Sequence, residues 1–129
     1  MEFLANENIV YTKDKDISYI QFKKLLEYPE LIHAFTVDKR FNFKTVSNNE
    51  KDKNYDTAIN NYKLLCRTLN LNFNNSIRAD LGHTDKVRIA DVVKEANFDI
   101  TEDKYDGLIT NKSYINLITT SPDCIIFLI

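Results

Sequence analysis

Neutral-pH chemistry draws on imidazoles, thiols and paired carboxylates, and this chain is sparing with the first two. Its two histidines are His33 and His83, and its two cysteines are Cys66 and Cys124. His83 sits in Leu81-Gly82-His83-Thr84-Asp85, a polar junction between two strand-like segments, where ligating or catalytic groups are commonly found. The plain alternative is an imidazole seated in a polar loop. His33, close to Phe35, reads as a partly buried ring with its hydrogen bonds satisfied. Cys124 follows Pro122 and Asp123 and opens an apolar run to Ile129, which suits a small core hydrophobe as well as a thiolate. Asp85, Asp123 and Arg78 complete the candidates. Imidazole and thiolate together suit zinc, but a catalytic site takes three protein ligands and an open position. His83 and Cys124 supply two, so residue chemistry alone leaves a metal site open. A metal-free alternative is a nucleophilic Cys124 with His83 as its base.

The elements that must hold these residues are short strands and one long helix. Asn8 to Thr12 and Ile17 to Phe22 are β-branched and aromatic segments around the charged turn Lys13 to Asp16, which predicts a hairpin. Lys23 to Tyr28 predicts a turn or two of helix ending before Pro29, and Leu31 to Val37 a further strand containing His33. Asp38 to Lys53 reads as a solvated loop. Tyr55, Ala58, Ile59, Tyr62, Leu65, Cys66 and Leu69 recur at i, i+3, i+4, i+7, i+10, i+11 and i+14, one face of an α-helix. Asn54 is its expected N-cap, and Asn70 suits a left-handed residue at its end. Cys66 then lies on the buried face as an inert thiol. Ser76 to Asp80, Lys86 to Val93, Gly107 to Thr110 and Tyr114 to Thr119 read as strands, the last two around the turn Asn111 to Ser113. Asn97 to Asp106 is acidic and irregular. Strands with one long helix imply a mixed α/β or α+β sheet domain.

Composition narrows the function. A chain of 129 residues is about one domain, and 43% hydrophobic with 28% charged residues is enough to bury a core. Nineteen acidic against seventeen basic residues leave no basic field for nucleic acid or anionic membranes. No apolar run reaches the ~20 residues of a membrane span, and the N-terminus has no secretory pattern, which predicts a cytoplasmic protein. Two cysteines make no disulfide scaffold. Two glycines, Gly82 and Gly107, exclude glycine-rich phosphate loops.

Several stretches, taken in order, resemble a known family. Ile32-His33-Ala34-Phe35-Thr36 resembles the HAFT start of the laccase-domain (YfiH-like) family, also called multicopper polyphenol oxidase or peptidoglycan-editing proteins. Asn61, Tyr62, Leu65 and Leu69 are similar to its helix. His83-Thr84-Asp85 with Val87 resembles its QxH(T/S)(D/N)xV stretch, and Asp106 to Asn111 reads DGLITN, close to its DGLIT. Pro122-Asp123-Cys124 stands where the family has TADC before an apolar strand. The similarity runs from Ile17 to Ile129, with departures at Leu81, where the family has glutamine, and Pro122, where it has alanine.

The resemblance implies an α+β, YfiH-like sheet domain with one long amphipathic helix, and residues 1–129 as its N-terminal half, since family members are roughly twice this length. It implies zinc, or alternatively copper, held by His83 and Cys124, with a third ligand from an HxGWRG motif that would lie beyond Ile129. The implied activity is phosphorolysis of adenosine, inosine or methylthioadenosine, with adenosine deamination besides. Cys124, His83 and Asp123 would carry the catalysis, and the partners would be a purine nucleoside and phosphate. Laccase chemistry itself needs several histidine-rich copper sites, more than two histidines supply. With the third ligand missing, the chain is expected to be incomplete as an enzyme. The alternative is an inactive remnant or binding module, dimeric through pairing of the Cys124 to Ile129 strand.

Overall fold

A computed structural model describes residues 6–13, 15–98, 100, 103–120, 126 and 128. The fold is mixed α+β. Strands β1 (Ile9–Thr12) and β2 (Tyr19–Phe22) form the expected hairpin, pairing Ile9 with Phe22 and Thr12 with Tyr19. One turn of helix, α1 (Lys23–Leu26), follows. The strand expected over Leu31 to Val37 shrinks to β3 (Phe35–Thr36), antiparallel to β2. Side chains take over where its ladder would continue: the Phe22 N–H donates to His33 Nε2 at 2.8 Å, and the Gln21 amide donates to the His33 carbonyl at 3.0 Å. The expected loop from Asp38 to Lys53 contains a small hairpin, β4 (Val46–Ser47) with β5 (Glu50–Lys51). Asn48 and Asn49, at φ 52° and 61°, make its two-residue turn, since asparagine tolerates the left-handed conformation that such a turn demands at both positions.

The long helix α2 (Tyr55–Thr68) buries Ala58, Tyr62 and Cys66, as its periodicity predicts. Its N-cap is Asn54, but φ −101° and ψ 21° leave the cap side chain without a hydrogen bond to the first turn. Asp52 organises the start instead, its Oδ1 accepting the Asn54 N–H at 2.9 Å. At the other end Asn70 has φ 57°, while the Leu71 and Asn70 N–H groups reach the Cys66 and Arg67 carbonyls at 2.7 and 3.1 Å. This is the left-handed C-terminal motif with its paired hydrogen bonds. A chain of rings, Phe43 to Tyr62 to Phe98 to Phe73, with successive centroids 4.9, 4.9 and 5.6 Å apart, binds the helix to the following segments.

After a 3₁₀ turn (Phe73–Asn75), the strands are β6 (Ser76–Arg78), β7 (Val87–Ile89), β8 (Gly107–Ile109) and β9 (Asn116–Ile118). β8 and β9 flank the expected turn but do not pair with each other. β6 pairs with β9 and β7 with β8, both in parallel. The extended segment at Asn97 lies parallel along the other side of β6, through a bridge from Ile77. Ile77, Ala90 and Ile115 form the centre of this part, with Val93 and Leu108 against them. In β7 the apolar Val87 and Ile89 face outward and Arg88 is half-buried, so alternation finds the strand but not which face is covered.

Candidate functional site

β6 is buried from end to end, and its last residue and the continuation beyond it carry a charge cluster that ordinary core burial would forbid. Arg78 and Asp80 are each 6% exposed. The guanidinium donates to the Ala79 carbonyl at 2.9 Å, and its Nη2 lies 3.7 Å from Asp80 Oδ1. Lys104 completes the cluster, its Nζ 2.6 Å from Asp80 Oδ2. Arg78 is thereby tied into the interior as a structural cation, with its Nε left without a hydrogen-bond partner among the described residues.

Beyond Asp80 the chain turns through the 81–85 loop, and His83 stands at the apex, exposed, with φ 56°. The 104–106 segment holds this loop. The Asp106 carboxylate accepts the Gly82 N–H through Oδ1 at 3.2 Å and the Thr84 N–H through Oδ2, and the His83 N–H also faces it. Those N–H groups, that of Thr84 foremost, hold the Asp106 carboxyl below the usual carboxylate range. Thr84 Oγ1 accepts the Lys86 N–H at 3.2 Å and donates to the Lys104 carbonyl at 3.4 Å. Gly82 is required by close approach: a Cβ there would lie 2.3 Å from the Lys104 Cβ. The HTD stretch and the DGLITN stretch, far apart in sequence, therefore meet in one structural unit.

Among the other candidates, Asp85 is exposed on the same loop. Cys66 is buried with its Sγ 3.9 Å from the Ser76 hydroxyl, and burial pushes its thiol pKa up, which keeps it inert as expected. His33 is buried as a structural ring, but it is not fully satisfied as expected: Nε2 accepts the Phe22 N–H, while the buried Nδ1 has no hydrogen-bond partner among the described residues. Cys124 and Asp123 lie outside the described residues. So does most of the apolar run to Ile129, of which Ile126 and Leu128 are described and belong to no strand. Among the described residues no three of His, Cys, Asp and Glu stand together to hold a metal ion. No helix among them is long and apolar enough to cross a membrane. A cleft of about 340 Å³ opens elsewhere, beside α2, lined by Tyr55, Ile59, Phe73 and Phe98 among others, and none of the described candidates lines it.

Sequence reasoning named His83 but missed Asp106, Lys104 and Asp80 as its supports. Asp106 reads as the residue before a strand, and nothing in its spacing shows that its carboxylate reaches back to a loop more than twenty positions earlier. The Asn48-Asn49 hairpin was missed too, inside a stretch read as a solvated loop; its one sequence signal is the pair of asparagines, which tolerate the left-handed region.

The parallel pairing of β6 with β9 adds a relation between the two predicted ligands. Arg78 and Ile118 are Cα partners, and both strands run the same way. The described chain that follows β6 from Ala79 and the chain that follows β9 at Thr119 therefore leave the same end of the pair; Cys124, six residues beyond Ile118 in sequence, lies outside the described residues. The carboxyl ends of parallel strands are where such sheets collect ligands. Comparison of the chain with protein-family models, curated proteins and solved structures returns no match.

Proposed function

We propose that this chain carries part of a metal-dependent purine nucleoside site, for phosphorolysis of adenosine, inosine or methylthioadenosine with adenosine deamination as a second activity. The reading rests on the resemblance to the laccase-domain family. The observation that supports it is the parallel β6–β9 pairing, whose shared carboxyl end precedes His83 in one strand's continuation and, in sequence, Cys124 in the other's. The donor chemistry fits zinc, with copper as the alternative: a neutral imidazole and a thiolate are both good ligands for a borderline-soft ion. His83, exposed on a braced loop, is free to offer a ring nitrogen. A bound metal supplies a Lewis acid and lowers the pKa of water towards ~7. His83 and Cys124 would hold it, and Asp123, adjacent to the thiolate, would orient a ligand or accept a proton. A third donor would come from another chain or from sequence beyond Ile129.

Elemental analysis of the purified chain beside a His83→Ala, Cys124→Ala variant tests the proposal. The expected result is zinc or copper approaching one per chain, lost in the variant. Metal no higher than the variant's background would sink it. Inosine phosphorolysis by the metal-loaded chain would show in addition that the third donor is present.

A second reading is a non-catalytic module that pairs with another copy. The outward Val87, Ile89 and Ile109 favour it, because parallel strands are ordinarily covered on both faces. Sedimentation at rising concentration tests it, and a monomer throughout would reject it.

A further inference from the structure

We infer that Asp106 is the positioning residue that presents His83 as a metal ligand, acting through the backbone of the 82–84 segment. The inference rests on the proposed role of His83 and goes beyond it, because resemblance supplies the ligand but not what holds it.

Three observations carry the assignment. His83 adopts φ 56°, a conformation that a β-carbon disfavours, so a free loop would leave it for the right-handed or extended region. The conformation persists here because the N–H groups on either side, those of Gly82 and Thr84, converge on one carboxylate, with the His83 N–H also directed there. Backbone N–H groups arranged in this way around a left-handed residue form an anion-binding concavity, and Asp106 is the anion that fills it. Asp106 is itself anchored, its N–H donating to the Lys86 carbonyl at 3.1 Å immediately before β8 begins at Gly107. The position of the β7–β8 pair is thus passed to the histidine.

The other loop contacts locate the stems rather than the apex. Asp80 is held by Lys104, its carbonyl takes the Tyr105 N–H at 3.0 Å, and Thr84 Oγ1 ties into the Lys104 carbonyl. The Asp106 carboxylate collects N–H groups from both sides of His83. Asp85, a candidate orienter by proximity in sequence, is exposed on the loop that needs support. A ligand set gains affinity when its conformation is fixed before the metal arrives, because binding then orders fewer torsions.

The test compares the wild-type chain with Asp106→Ala and Asp106→Asn, using cobalt(II) as a spectroscopic substitute for zinc and amide hydrogen exchange as a metal-free readout. In Asp106→Ala the Gly82 and Thr84 amides should exchange at least about 10-fold faster, while the β6 amides keep their protection and show the fold intact. Its cobalt affinity should fall by about 10- to 100-fold, the usual loss when a ligand's support is removed. Asp106→Asn keeps a carbonyl acceptor and should recover part of both. Unchanged exchange at Gly82 and Thr84 in Asp106→Ala would overturn the positioning role, as would unchanged cobalt affinity. A wild-type chain that binds no cobalt would overturn the ligand reading of His83 and the inference built on it, while exchange still reported whether Asp106 holds the loop, so the two failures are distinct.

Discussion

His33 is held neutral by its surroundings. Burial disfavours the charged ring and lowers its pKa from 6.5, and Nε2 is already occupied as the acceptor of the Phe22 N–H, a bond that needs the ring's lone pair. The sign of the pH effect follows. Below about 6.5 the unfolded chain takes up a proton that the folded chain resists, so the contribution is full above that pH and is lost as pH falls through 6.5 towards the folded value. The stability difference between wild type and His33→Gln should therefore be larger at about pH 7.5 than at about pH 5.5, as read from urea midpoints. A difference independent of pH would show that the ring is not excluded from charging. Tyr62 offers a second check, because its hydroxyl donates to the Phe43 carbonyl at 3.0 Å in a buried setting. Tyr62→Phe should cost about 1 kcal/mol, the net worth of one hydrogen bond, measured by the same unfolding series.

The 81–85 loop and the end of α2 show how elements join at positions where the backbone is specialised. Gly82→Ala would put a Cβ at 2.3 Å from the Lys104 Cβ and 2.5 Å from its Cγ, atoms near the backbone that cannot swing aside. The expected cost is about 1–3 kcal/mol, as for other overpacked sites. Gly107→Ala has its tightest contact with Val87 Cγ2 at 3.1 Å, the other Val87 atoms lying at ordinary van der Waals distance, and should cost less; equal losses in urea denaturation would contradict this ordering. At the helix terminus Asn70 at φ 57° allows the Leu71 N–H to close on the Cys66 carbonyl. Asn70→Ala should destabilise the protein by about 1 kcal/mol, because alanine lacks asparagine's tolerance of the left-handed region.

At the scale of the whole molecule, covered and bare sheet faces lie side by side. β6 is completely buried, with β9 on one side and the Asn97 segment on the other, whereas on β7 and β8 Val87, Ile89 and Ile109 are 59, 67 and 56% exposed. If that face associates with a second copy, Ile89→Lys should abolish the concentration dependence of sedimentation, since a charge in a dry contact costs far more than one in water. Equal sedimentation of variant and wild type would place any association elsewhere.

Periodicity and local turn chemistry, legible in the sequence, determined the β1–β2 hairpin, the α2 helix with Cys66 on its buried face, the left-handed Asn70 and the prominence of His83. These depend on neighbours a few positions apart, so their causes are written in consecutive residues. Tertiary structure alone decided the parallel pairings β6–β9 and β7–β8, the outward turn of Val87 and Ile89, and the capture of the His83 loop by Asp106. Hydrogen bonds between segments about twenty to forty residues apart depend on which strands become neighbours, and alternation along one strand cannot report which face its neighbours will cover.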